Sequence, residues 1–104
     1  MTAPGDHPTA GFDDTVHQPN RLAIMVVLHE AGRADFGYLK QTLGLTDGNL
    51  GRHLSGLEQA ALVRLEKGYE GRRPRTWASL TPHGRRALDL ELREMEKLVR
   101  RLRR

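Results

Sequence analysis

The sequence predicts an α+β domain that is mainly α-helical and contains one small β-hairpin. Three observations predict this class. Residues 39–63 have the pattern of a helix end, a tight turn and a second helix, which is a helix-turn-helix. Residues 62–80 change to two short β-type runs around a loop with two glycines and a proline. Residues 82–104 carry an apolar side chain every three or four positions, which is typical of a long amphipathic helix.

The composition excludes several classes of protein and kinds of site. A chain of 104 residues forms one domain with a modest core. The absence of cysteine excludes disulfides and thiolate metal sites. No apolar run approaches the length of a signal or membrane helix, so we expect a cytoplasmic protein without membrane contact. The five histidines are scattered, and no HExxH motif, phosphate-binding glycine loop or paired-carboxylate motif occurs. We therefore expect neither an enzyme nor a cofactor or metal site.

The positive charge is concentrated in the second two-thirds of the chain. The net charge is +4, and the isoelectric point is about 10.1. Residues 1–30 carry one basic and four acidic side chains, residues 31–81 carry eight and five, and residues 82–104 carry eight and four. This asymmetry favours a polyanionic partner.

The first half of the chain predicts a leader and two helices. Residues 1–16 are rich in Pro, Gly, Thr and Asp and are expected to be a flexible leader. The first helix runs from about Asn20 to Ala31, ends at Gly32 and is apolar on almost every side. We expect part of it to pack against a second copy of the chain; the alternative is a central helix covered by its own neighbours. Asp35 is the predicted cap of the second helix, which covers residues 36–43.

The next helix, at about residues 46–61, is the second helix of the predicted helix-turn-helix. Gly44 ends the preceding helix and Thr46 caps this one. One face is apolar and expected to be buried: Leu50, Leu54, Leu57 and Ala61. The opposite face and its flank carry small or polar residues: Gly48, Asn49, Arg52, Ser55, Gly56 and Gln59. The helix contains three glycines, Gly48, Gly51 and Gly56. Each costs about 1 kcal/mol of helix stability against alanine, and close approach of the backbone to a DNA major groove would explain them. A helical hairpin that only builds a core is the alternative.

The hairpin and the last helix complete the pattern. The hairpin is expected to have a long tip, with Lys67, Arg72, Arg73 and Arg75 on it, and Trp77 is expected in the core. Thr81 and Pro82 start the last helix. Its apolar residues, Leu88, Leu92, Met95, Val99 and Leu102, have coiled-coil spacing. They predict part of a dimer interface or, alternatively, a helix that folds back on its own core.

Several segments together resemble a known family. They are His17 to Leu22, Asp35-Phe36, Leu43 to Leu54, Gly68 to Thr76 and Leu80 to Arg85. Their order resembles that of compact prokaryotic winged helix-turn-helix transcriptional regulators, similar to MarR and ArsR proteins, over about residues 16–87. The absence of cysteine and of a close histidine pair departs from metal-sensing ArsR proteins.

The resemblance implies a homodimer, formed through the first and last helices, that binds double-stranded DNA. It divides the chain into the leader (1–16), a winged helix-turn-helix domain (17–81) and a C-terminal dimerisation helix (82–104). The helix at about residues 46–61 would be the recognition helix and enter the major groove, and the wing, at about residues 67–75, would reach the flanking backbone or minor groove. The candidate DNA-binding residues are Thr46, Asn49, Arg52, His53, Ser55, Arg72, Arg73 and Arg75.

These residues differ in the role we expect. Arg52 suits guanine, which an arginine binds through two hydrogen bonds; the alternative is a phosphate contact. Asn49 suits adenine or, alternatively, a hydrogen bond to the local backbone. A packed, hydrogen-bonded His53 is as compatible with the pattern as a DNA ligand, and Asp47 suits the start of the helix dipole. We expect a transcriptional repressor; a sequence-tolerant architectural DNA binder and a protein-interaction module are the alternatives. The sequence identifies neither the operator nor a small-molecule effector.

Overall fold

The computed structural model describes residues 7–103 and contains four helices and a three-stranded antiparallel sheet. The elements are α1 (Pro19–Ala31), β1 (Ala34–Asp35), α2 (Phe36–Leu43), α3 (Asp47–Gln59), β2 (Val63–Glu70), β3 (Arg73–Leu80) and α4 (Pro82–Leu102). The strand order is β1-β3-β2. This architecture confirms the predicted α+β class.

The predicted helix ends are confirmed because each depends on a short-range hydrogen bond or backbone conformation. The side chain of Asp35 accepts a hydrogen bond from the Tyr38 amide at the start of α2, with an N···O distance of 2.6 Å. Gly44 follows α2 with a left-handed φ of 65°, a conformation that glycine adopts without steric cost. Thr46 Oγ1 accepts from the Asn49 amide at 3.1 Å and caps α3.

Thr81 joins the start of α4 to the end of α3. Its hydroxyl accepts a hydrogen bond from the Gly84 amide at 2.9 Å and donates one to the Ala61 carbonyl at 2.6 Å. Gly84 is buried, and a Cβ built on it would lie 2.0 Å from the Leu62 carbonyl oxygen. The first turn of α4 therefore packs directly against the backbone between α3 and β2.

The hairpin has a tighter turn than the sequence predicts. β2 and β3 pair from Val63 with Leu80 to Glu70 with Arg73, which leaves only Gly71 and Arg72 in the turn. Gly71 has a φ of 63°, which suits the first position of a two-residue hairpin turn. The predicted long tip is wrong because Gly68 and Pro74 lie inside the strands. Pro74 is tolerated there because β1 pairs with β3 only near Trp77, so the strand edge beyond it is open.

The short strand β1 was not predicted. Ala34 pairs with Ala78, and Asp35 pairs with Trp77. Two residues are too few to show an alternating pattern, and the pairing depends on a partner more than 40 positions away in the chain. The strand brings the start of α2 against the middle of β3.

The hydrophobic core lies between the helices and one face of the sheet. Each helix and the sheet contribute fully or almost fully buried side chains, including Ile24, Met25, Leu28, Leu39, Leu50, Leu57, Val63, Ala78 and Leu88. The predicted buried face of α3 is confirmed for its three leucines, whereas Ala61 lies beyond the helix with a positive φ of 60°. Burial of one face of α3 leaves its opposite face available to solvent.

The segment before α1 packs along α4. Val16 is completely buried. The ring of Phe12 stacks on that of His17, with 4.2 Å between the ring centroids, and His17 Nδ1 contacts the carboxylate of the buried Glu91. Val16 and Phe12 fall in the leader that the sequence predicts, of which residues 1–6 lie outside the described part. The division into leader, winged helix and dimerisation helix stays a prediction.

The second half of α4 extends away from the core. The molecule measures 60 × 24 × 23 Å along its principal axes. Leu88 is buried, but Leu92, Val99 and Leu102 are 41 %, 46 % and 81 % exposed. The apolar seam therefore passes from the core into solvent. None of the helices within residues 7–103 is both long and apolar enough to cross a membrane.

Candidate nucleic-acid interface

The outward face of α3 is polar and solvent-exposed. Opposite the three buried leucines, Arg52, Ser55 and Gln59 are all exposed. The acidic residue of the first turn, Asp47, forms an ion pair with Lys40 of α2 at 3.0 Å. This pair joins the two helices of the helix-turn-helix and offsets the one carboxylate near the start of α3. The exposed face can therefore approach a negatively charged surface.

Arg52 and Asn49 form a hydrogen-bonded pair on α3. Arg52 Nη2 donates to Asn49 Oδ1 at 2.7 Å, one helical turn apart. The bond uses the acceptor of Asn49 and limits the orientations of the Arg52 guanidinium. The structure thus brings these two predicted base-reading residues together, and their roles stay predictions. Thr46 uses its hydroxyl as the cap of α3, and Ser55 lies on the exposed face.

His53 lies on the flank of α3 and contacts a residue of α1. Arg21 Nε donates a hydrogen bond to His53 Nδ1 at 3.3 Å. Burial lowers the pKa of His53, and the positive charges of Arg21 and Arg52 lower it further. His53 is therefore a neutral imidazole near neutral pH. The sequence left open whether His53 packs or binds DNA, and the structure gives it both a packing partner and partial exposure.

The three glycines of α3 have different surroundings. A Cβ built on Gly48 or Gly51 would meet no heavy atom within 4 Å. A Cβ on Gly56 would lie 2.6 Å from Arg21 Nη2 and 3.0 Å from Arg21 Cζ. Gly56 thus leaves the space that the Arg21 guanidinium occupies. Approach to DNA is not needed to explain this glycine, although it remains the predicted explanation for the other two.

The three arginines predicted on the wing differ in their contacts. Arg72 lies in the turn and is exposed, and Arg73 begins β3 and is also exposed. Arg75 lies deeper in β3 and forms ion pairs with Asp35 at 3.2 Å and with Glu70 at 3.6 Å. Because the same Asp35 carboxylate caps α2, Arg75 links the wing to the helix-turn-helix. Its predicted DNA contact stays a prediction beside this structural role.

Trp77 lies on the face of the sheet that points away from the core. Its neighbour Ala78 is buried, whereas Trp77 is half-buried, with the Arg33 guanidinium 4.0 Å from its ring centroid. The expected core position of Trp77 is wrong because strand alternation gives the inward face to Ala78. Arg33 covers part of the ring through a cation–π contact.

Sequence reasoning missed Arg21 and Arg33 as parts of this region, and it predicted Asp35 only as the cap of α2. Arg21 was a basic residue among acidic ones in the first thirty positions, and its partner lies 32 positions away. The glycine at position 56 was the available signal, but sequence alone does not show what occupies the space beside a glycine.

A cavity of about 500 Å³ lies apart from α3, between the segment before α1 and the first half of α4. Its lining includes Phe12, His83, Arg86 and Leu90. Within residues 7–103, histidine, aspartate and glutamate nowhere gather in a group of three that could hold a metal ion.

Comparisons with known proteins identify similar chains. A model of the winged helix DNA-binding domain family matches residues 20–99. The uncharacterised protein MJ0432 of Methanocaldococcus jannaschii is 36 % identical over 78 residues, which cover 75 % of this chain and 85 % of that protein.

Three solved structures have similar folds. A transcriptional regulator homologue from Pyrococcus horikoshii OT3 superposes with a TM-score of 0.79 and 32 % identity, covering 85 % of this chain and 87 % of that one. A protein described as a MarR-family transcriptional regulator, from Enterococcus faecalis V583, has a TM-score of 0.69 and 29 % identity, covering 85 % and 78 %. The expected resemblance to winged-helix transcriptional regulators, including those of the MarR family, is confirmed. An ArsR-family transcriptional regulator, RHA00566, shares the fold, with a TM-score of 0.57 and 19 % identity over 96 % of both chains.

Proposed function

The chain belongs to the winged helix DNA-binding domain family, and on this premise we propose that it binds specific double-stranded DNA sequences as a homodimer and represses transcription. It acts by binding, without catalysis, on DNA in the cytoplasm. The observation that carries the proposal is the exposed face of α3. That face presents Arg52, Ser55 and Gln59 to solvent while the opposite face is buried and both helix ends are fixed by caps.

Placement of α3 in the major groove follows from its chemistry. An arginine on the outward face binds guanine O6 and N7 through two hydrogen bonds, and such pairs discriminate between bases. The bond from Arg52 to Asn49 orders the guanidinium before binding, which lowers the entropy lost when it contacts a base. The open space beside Gly48 and Gly51 allows the helix backbone to approach the groove closely.

The wing supplies backbone contacts. Arg72 and Arg73 are exposed where β2 turns into β3, and the strands hold that turn away from the core. Exposed arginines at the end of a hairpin suit phosphate oxygens or a narrow minor groove. Such contacts release counterions, so the affinity should fall steeply with salt concentration.

Dimerisation is supported by the exposed apolar side of α4. Leu92, Val99 and Leu102 continue the heptad seam beyond the core. A second copy would cover these side chains and would place two α3 helices on one duplex. Two-fold symmetry then requires half-sites about 10 base pairs apart, centre to centre, or a multiple of that spacing. Occupation of such a site at a promoter blocks polymerase.

Selection of bound duplexes from a random DNA pool at near-physiological salt tests the proposal. Enrichment of an inverted repeat with the expected spacing is the predicted result. Retention of DNA without enrichment would identify an architectural binder instead. No retention even at low salt would exclude DNA binding and favour a protein-interaction module.

A further inference from the structure

Arg21 lies outside the helix-turn-helix yet contacts α3 at two points. Its Nε donates to His53 Nδ1 at 3.3 Å, and its guanidinium occupies the space beside Gly56. Both contacts lie on one flank of α3, next to the face that carries Arg52. The side chain is half-buried, so α1 delivers a positive charge to the edge of the proposed recognition surface.

The contact with Arg21 fixes the tautomer of His53. Because Nδ1 accepts a hydrogen bond, it carries no proton, and in the neutral ring the proton is on Nε2. Burial and the charges of Arg21 and Arg52 lower the pKa of His53, which keeps the ring neutral. His53 therefore offers Nε2–H as a hydrogen-bond donor.

The charges on this flank of α3 are not neutralised within the described part of the chain. Neither Arg21 nor Arg52 forms an ion pair with a carboxylate of residues 7–103. Two guanidinium groups and one N–H donor without an acidic partner suit an anion. Beside a helix that lies in the major groove, the anions are the phosphates that border the groove.

We propose that Arg21, held against α3 by His53 and Gly56, is a DNA-contact residue that binds a backbone phosphate, with His53 Nε2–H as a second donor to the backbone. This inference rests on the proposed DNA binding and adds a contact from α1 to those of α3 and the wing. A phosphate contact anchors the recognition helix in the groove but does not read the base sequence.

Two substitutions separate this role from a structural one. Arg21→Ala removes the charge. Gly56→Ala keeps it but displaces the guanidinium, whose flexible end can move, and replaces a helical glycine with a better helix former. Gly37→Ala, on the exposed side of α2, is the matched control because the added methyl makes only ordinary contacts, the nearest 3.5 Å from Asp35 Oδ1. Both glycine variants should keep or raise the melting temperature.

DNA affinity of the full chain is measured by titrating the selected duplex, and single-base variants of it, at several salt concentrations. Arg21→Ala should weaken binding roughly three- to tenfold, to a similar extent for every duplex, and should reduce the slope of log K against log salt by about 1. Gly56→Ala should also weaken binding, whereas Gly37→Ala should not.

Nitrogen chemical shifts of the His53 ring test the positioning directly, without DNA. The expected wild-type ring is neutral with the proton on Nε2, and Arg21→Ala should raise the His53 pKa because one of the charges that depress it is gone. A wild-type ring protonated on Nδ1 would overturn the positioning.

The outcomes distinguish this inference from the function on which it rests. Wild-type protein that binds no duplex refutes both. Wild-type binding with a normal salt slope, but unchanged by Arg21→Ala and by Gly56→Ala, refutes only the phosphate contact of Arg21. A loss confined to particular base pairs would replace the phosphate contact with base reading.

Discussion

Arg52 combines exposure on the outward face of α3 with a fixed orientation. Its guanidinium is held by Asn49 one turn earlier, at 2.7 Å. Sequence position alone suggested Arg52 because mid-helix arginines project into a groove. The hydrogen bond to Asn49 was not predicted, since the sequence offered only a contact with adenine or a bond to the local backbone for Asn49.

Arg52→Ala is expected to lower the affinity for the selected duplex about tenfold and to relax base preference at one position of each half-site. The reason is the loss of a two-bond contact with guanine. Titration of duplexes with single substitutions measures both effects. Arg101→Ala, which removes an equal charge from the C-terminal end of α4, serves as the control. Unchanged base preference in Arg52→Ala would assign base reading to another residue.

Two helical glycines, Gly84 and Gly48, differ in the space that the structure leaves for a side chain. Gly84 is buried, and a Cβ there would lie 2.0 Å from the Leu62 carbonyl oxygen. Gly48 has open space around it. A backbone oxygen moves less readily than the end of a side chain, so the two positions should respond differently to alanine.

Gly84→Ala should reduce the free energy of unfolding by about 3 kcal/mol or more, because the start of α4 must move away from Leu62. Gly48→Ala should increase the free energy of unfolding by up to about 1 kcal/mol. Urea unfolding followed by circular dichroism measures both changes. Equal free energies of unfolding for the two variants would show that the start of α4 can move away from Leu62 without loss of stability.

At the scale of elements, the wing is connected to the helix-turn-helix through Asp35. One oxygen of this carboxylate caps α2 and the other accepts a hydrogen bond from Arg75 of β3 at 3.2 Å. Asp35 and Arg75 are 14 % and 29 % exposed at the side chain, so the pair is only partly screened by water. The Asp35 carboxylate therefore adds to the pairing of β1 with β3 in holding the wing against α2.

Arg75→Ala and Arg72→Ala should have different effects. Arg75→Ala is expected to reduce the free energy of unfolding by about 1–3 kcal/mol, since it leaves the Asp35 carboxylate with fewer partners. Arg72→Ala should leave stability within about 0.5 kcal/mol of wild type and reduce the salt slope of DNA binding by about 1. Thermal unfolding and salt-dependent titration separate the two. A reversal of these results would make Arg75 the DNA contact and Arg72 the structural residue.

At the scale of the whole molecule, α4 leaves its own core and exposes an apolar side. A helix that folded back would have buried Leu92 and Val99, which are 41 % and 46 % exposed. Pairing with a second copy of the chain is the proposed way to cover these exposed apolar side chains.

Leu92→Glu combined with Val99→Glu should convert the proposed dimer to a monomer, because charged side chains in the seam oppose pairing of two α4 helices. The monomer should stay folded, since neither side chain belongs to the core. Analytical ultracentrifugation gives the mass, and circular dichroism reports the fold. Lys97→Glu, on the opposite side of α4, is the control and should stay dimeric. A double variant with the wild-type mass would refute the interface through α4.

The sequence by itself determined the features that depend on neighbours within a few positions. Gly32 and Gly44 end helices, Asp35, Thr46 and Thr81 cap them, and the leucines of α3 share one face. Each follows from backbone geometry or helical periodicity, which act over one or two turns. The order of these elements was also sufficient to predict the family.

Only the tertiary structure decided the contacts between residues far apart in the chain. Arg21 meets His53 across 32 positions, Arg75 meets Asp35 across 40, and His17 meets Glu91 across 74. None of these pairs has a local pattern, because each depends on how whole elements pack. The role of Gly56 could not be predicted either, since the side chain that fills the space beside it, Arg21, comes from another helix.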